Sequence, residues 1–195
     1  MSHSRGPVTA RSVGRGLPER WNATPEEAAA TFPCDALAQG DFIALTRAID
    51  VDAFPQIVFR WLCQLRAAPY SYDWIDNLGR RSPRQLSPGL DDLQTGQRFL
   101  IGTITSFVHN QHITVRATPE AERLFGVIAL TYRVIGRGAG ASRLLVRLDV
   151  YPPNRLWERA RYLALAWGDV IMMRKQLRTL KKHAELASAT DHTAQ

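Results

Sequence analysis

The chain has 195 residues, of which 45% are hydrophobic and 22% charged. That composition matches an average globular domain and excludes a wholly disordered chain. No run of about 18 apolar residues is present, so no transmembrane helix is written. The formal charge of +7 and a pI near 10.0 bring nucleic acid and anionic membranes into consideration as partners.

The charge is unevenly placed. Residues 1–20 carry +3, residues 21–153 are neutral, and residues 154–186 carry +5. Basicity therefore belongs to a tail and to one segment that reads as a helix, which weakens the case for a polyanion partner and leaves no nucleic acid expected. Arg outnumbers Lys 22 to 3, a ratio that suits bidentate anion contacts but also follows from composition bias. The first 20 residues lack the apolar core of a secretory signal and read as a disordered basic extension. Cys34 and Cys63 lie far apart with no CxxC, so two free thiols in a reducing cytoplasm are expected.

Thr24-Pro25-Glu26-Glu27 opens the folded part as a capping box, and Pro33 stops that helix. Residues 41–51 alternate, with Ile43, Leu45, Ile49 and Val51 on one face and Arg47 interrupting it, and predict a strand. Asp52 is the expected cap of a helix over roughly 54–67, where Phe54, Ile57, Val58, Trp61, Leu62 and Leu65 recur at helical spacing. Pro69 ends it. Residues 70–81 read as short helical turns, and 84–97 as irregular chain.

From 98 to 151 the chain reads as strands at 98–108, 111–118, 122–136 and 141–151, with turn residues between them. Such short links imply an antiparallel meander. In the last strand Leu144, Val146, Leu148 and Val150 share one face, with Arg143, Arg147 and Asp149 on the other. The face of Thr114, Arg116 and Thr118 is expected to meet solvent. Residues 124–135 are apolar on both faces, which implies either a homodimer through the sheet or cover by residues 21–40. Pro152-Pro153 ends the sheet, and Asn154 is the expected cap of a helix over 155–187. Leu156, Ala160, Leu163, Trp167, Val170, Arg174 and Leu177 form its stripe, flanked by Trp157, Ala164, Ile171 and Met172. Residues 21–187 thus form one domain, with tails at 1–20 and 188–195.

The order is strand, helix, antiparallel strands and one long closing helix. With the segment Ile49-Asp50-Val51-Asp52-Ala53-Phe54-Pro55, which leads into a helix containing Trp61, and with Pro69 to Asn77 and Met172 to Leu177, residues 38–186 resemble the helix-grip superfamily. That superfamily includes START lipid-transfer domains and polyketide cyclases and aromatases (SRPBCC). The resemblance implies an α+β fold: a curved antiparallel β-sheet wrapped around a long C-terminal α-helix. It further implies an apolar cavity between them, for lipids, sterols or polyketide-like molecules. It assigns no catalytic set, because the scaffold hosts many functions.

Candidate ligand-binding residues follow from the residue types. Tyr70, Tyr72, Trp74 and Arg80 gather aromatic rings with polar tips and an anion-binding group in one short segment, as at a pocket mouth. Trp61 lies in the entry helix, and Trp167, Ile171 and Met172 in the long one. Tyr132 shares a face with Leu130 and Val134 and aims its hydroxyl at the expected cavity. Asp169, if inward, would have a raised pKa. The first reading is a binder or carrier of a hydrophobic small molecule. The second is a cyclase- or aromatase-like enzyme in which Tyr72, Tyr132, Asp169 and Arg80 polarise a carbonyl or move a proton. A third is a surface binder of nucleic acid or anionic membrane. No metal is expected, because His109 and His112 have no carboxylate or Cys nearby to complete a set. No cofactor is expected either: Gly136, Gly138 and Gly140 lie between strands rather than at a strand-to-helix turn.

Overall fold

The computed structural model describes residues 10–13, 16–38, 40–71, 82–126, 128–152 and 155–193. Eight strands form one sheet: β1 (Ala10–Val13), β2 (Arg20–Trp21), β3 (Phe42–Val51), β4 (Arg98–Phe99), β5 (Gly102–Val108), β6 (His112–Ala117), β7 (Ile128–Gly136) and β8 (Ser142–Val150). Their order is β1-β3-β8-β7-β6-β5-β4, with β2 also beside β3. β1 and β2 run parallel to β3, and every other pairing is antiparallel. A long helix, Leu156–Thr193, closes the chain. This is the helix-grip α+β arrangement.

Local rules account for most elements. Thr24 and Glu27 form the reciprocal capping box of α1 (Pro25–Ala29), at 3.2 and 2.9 Å. The helix α2 (Pro55–Cys63) starts at its proline, with Phe54 in the cap position and no side-chain cap. Asp52 is therefore not the cap: its backbone N–H instead donates to Glu185, and Pro55 at the first helical position puts the cap two residues later, at Phe54. A 3-10 turn, Gln64–Arg66, extends α2.

Two expected strands are corrected. The strand expected over 122–136 begins only at Ile128, because Pro119–Phe125 forms α3. Thr118 caps it by accepting from Ala121 N–H, and Gly126 ends it at φ 86°. A capped helix at that point outcompetes strand propensity. The strand expected over 98–108 is broken between β4 and β5 around Leu100, whose φ of 51° lies in the left-handed region. In the described part of residues 1–20, β1 and β2 pair with β3, and the helix α4 (Leu156–Thr193) continues past residue 187.

The outer face of the sheet is covered by the chain itself. Phe32, Cys34 and Leu37, in and before the 3-10 turn Pro33–Leu37, pack on Ala48, Ala129 and Leu145. Thr114 is buried there, hydrogen-bonded to Thr131 at 3.0 Å, so its face is not solvent. Arg143 and Arg147, which the alternation placed outward, are also buried: Arg143 pairs with Glu27 and Asp50, and Arg147 donates to Ala30 O at 3.1 Å.

On the inner face the main packed cluster lies under the second half of α4. Leu177, Leu180 and Ala184 pack with Trp61, Leu62, Tyr70, Val134 and Leu144. Nearer its start the helix packs on β3 and β8, where Ala166 is buried with Ile43 and Leu45 and Tyr162 lies beside them.

Candidate ligand cavity

A cavity of about 1340 Å³ lies between α4 and the sheet. Its floor is the inner face of β3, β7 and β8, through Leu45, Leu130, Tyr132, Leu148 and Val150. Its roof is α4, through Leu165, Ala166, Asp169, Met172, Met173 and Gln176. Leu65 to Pro69 close one end, and Leu100 and Ile101 lie at the β4–β5 turn. The charged groups Arg66, Arg98, Glu120, Glu158 and Arg161 also line it, and Arg98 and Arg161 are exposed. The volume exceeds the range of roughly 300–1,000 Å³ typical of drug-sized ligands.

Two polar arrangements are set in the apolar wall. Tyr132 Oη donates to Gln176 Oε1 at 2.6 Å, and Gln176 Nε2 donates to Pro69 O at 2.7 Å. Burial drives the Tyr132 phenol well above its ordinary range, and the nearby Asp169 charge adds to this. The second is an ion pair: Arg47 Nη2 lies 2.8 Å from Asp169 Oδ2. Burial raises the Asp169 carboxyl above its usual range against the opposing pull of Arg47, and burial lowers the Arg47 guanidinium. Arg47 Nη1 also donates to Glu19 O at 2.7 Å, and the Tyr162 hydroxyl to Glu19 Oε1 at 3.2 Å. Each of these wall groups is thus held by protein partners. Such pairing fixes the shape of the wall and leaves apolar contact as its main means of binding.

Of the residues singled out in the sequence, Tyr132, Asp169 and Met172 line the cavity. Trp61 and Tyr70 do not: they lie in the packed end, where Trp61 stacks on His183 at 4.6 Å and meets Tyr70 edge-on at 6.3 Å. Trp167 and Ile171 point away from the cavity and are exposed, because helical spacing turns them off the face that carries Asp169 and Met172. Tyr72, Trp74 and Arg80 lie outside the described residues, as does the expected cap Asn154. Gln176 was not anticipated. Its signal was present, since Asp169, Met172, Met173 and Gln176 stand at i, i+3, i+4 and i+7 and mark one face of a helix.

Outside the cavity, Cys34, Asp35 and Asp149 bring ligand-type atoms within 4.8 Å of one another on the covered outer face. Burial pushes the Cys34 thiol up and the Asp149 carboxyl up to about 8, with the charge of Asp35 adding to the latter.

No family model matches the chain, and no curated protein matches it. Solved structures do. A protein from Chromobacterium violaceum is 15% identical, over 73% of this chain and 97% of that one, with a TM-score of 0.43. The di-domain ARO/CYC StfQ from the steffimycin biosynthetic pathway is 11% identical, over 76% of this chain and 52% of that one, at 0.44. A START superfamily protein from Mycobacterium smegmatis is 14% identical, over 75% of this chain and 97% of that one, at 0.41. At such identities what those proteins bind or convert does not transfer to this chain.

Proposed function

We propose that this protein binds or carries a hydrophobic small molecule, lipid or polyketide-like, in the cavity between the sheet and α4. The observation that carries this reading is the cavity itself: about 1340 Å³ of space with Leu45, Leu130, Leu148, Val150 and Met172 in its wall. Space of that kind exchanges apolar ligand surface for water, at roughly 25 cal/mol per Å² before ordering costs. Binding is favoured over catalysis because Tyr132 and Asp169, the acid–base candidates in the wall, are already held by Gln176 and Arg47. An enzyme of the cyclase or aromatase kind would need one of them released towards substrate.

Mass spectrometry of the natively purified protein tests the reading. A small apolar molecule should co-purify and be released on unfolding. A folded protein that carries none, and that binds neither fatty acids nor polycyclic fluorescent probes, would overturn it.

A further inference from the structure

The first half of α4 carries a second apolar surface, on the side turned from the cavity. Leu156, Leu163, Trp167 and Ile171 are 84%, 50%, 46% and 55% exposed. With Ala160 they recur every three or four residues and form one continuous stripe. Single exposed apolar residues are ordinary on a protein surface, whereas contiguous ones mark an interaction site. The sheet does not cover the stripe, because the inward line of the helix is Ala166, Val170 and Leu177, all buried.

The surroundings of the stripe select its partner. Arg155, Arg159, Lys175 and Arg178 are exposed at its two ends. Between 155 and 178 the only acidic residues are Glu158 and Asp169, and Asp169 is paired with Arg47. A second copy packed stripe to stripe would set these cations against one another. A nucleic acid would match the charge but leave Leu163 and Ile171 without a counterpart. An anionic bilayer matches both features, taking apolar and indole side chains into the headgroup–acyl boundary and cations onto phosphate. No described helix is long and apolar enough to cross a membrane, so the contact is peripheral.

We propose that the outer face of α4, from Leu156 to Arg178, docks the protein on an anionic lipid surface through Leu163, Trp167 and Ile171, with the flanking cations on lipid phosphates. The inference rests on the outside of the helix and is independent of what the cavity holds.

The test is co-sedimentation of the full chain with vesicles of phosphatidylcholine, alone or with roughly one third phosphatidylglycerol. The protein should sediment with the anionic vesicles, bind neutral ones weakly, and be released by salt. The variant Leu163→Ser/Trp167→Ser/Ile171→Ser should lose about tenfold or more in affinity, since each large apolar side chain contributes comparably when buried. Its unfolding midpoint should stay at the wild-type value, because the three side chains are exposed. Three results would overturn the proposal. The first is wild-type protein that is not recruited to anionic vesicles. The triple variant binding as tightly as wild type would assign binding to another region, such as the basic N-terminal segment that it retains. A dimer in sedimentation velocity that the triple variant dissolves would make a second copy the occupant.

Discussion

The guanidinium of Arg47 on β3 and the carboxylate of Asp169 on α4 meet at 2.8 Å across the gap between sheet and helix. Arg47 is 1% exposed and its Nη1 donates to Glu19 O and Thr46 O. This ion pair ties the helix to the sheet beside the cavity, one turn from where Ala166 packs on Ile43 and Leu45.

Removing one partner should therefore cost more than removing both. Asp169→Asn leaves a buried guanidinium without its counter-ion, a loss of about 3–5 kcal/mol. The double replacement Arg47→Met/Asp169→Leu should recover most of that stability. Urea unfolding of the two single variants and the double variant measures the coupling. A single variant within about 0.5 kcal/mol of wild type would show the pair to be energetically idle.

Asp149 sets a pH dependence of the opposite sign to the usual carboxylate. It is 3% exposed, and burial, with the charge of Asp35 beside it, raises its pKa to about 8. The unfolded chain ionises it near about 3.9. Between those values the folded state holds one proton more, so stability contributed by this group is present below about pH 4 and is lost as pH rises towards 8. The slope is at most about 1.4 kcal/mol per pH unit. Asp149→Asn should remove it, so the variant gains on wild type across that range. Parallel stability–pH curves for the two proteins would contradict the assignment.

Gly102 is required by close approach rather than by its backbone angles. A Cβ there would meet the carbonyl oxygen of Arg116 and lie 2.6 Å from Val115 Cγ1 on the neighbouring strand. Backbone cannot yield as a flexible side chain does. Gly102→Ala should therefore destabilise the protein by several kcal/mol, on the order of a severe overpacking change. Thermal unfolding checks this, with Gly138→Ala in an open hairpin position as a comparison that tests left-handed strain without contact.

Filling the cavity should separate ligand capacity from fold stability. Met172 lines the cavity and is only half-buried. Met172→Trp should reduce probe binding by about tenfold or more while shifting the unfolding midpoint little. Undiminished binding would place the ligand elsewhere.

Local periodicity alone determined much of this protein. The alternation of 41–51 and 141–151, the short links of the meander, the Thr24–Glu27 cap and the long closing helix were all legible, because each depends on residues close in sequence. So were Tyr132, Asp169 and Met172 as residues of the cavity wall. Only the tertiary structure decided which faces are buried. Leu156, Leu163, Trp167, Val170 and Leu177 recur at helical spacing, yet the first three meet solvent while Val170 and Leu177 are buried. Arg47 looked like an interruption of a strand face until Asp169 of a distant helix stood opposite it. Arg143 and Arg147 alternate outward, and α1 and the turn after it then bury them. Periodicity fixes which side chains point the same way. What they point at depends on where a distant part of the chain comes to rest.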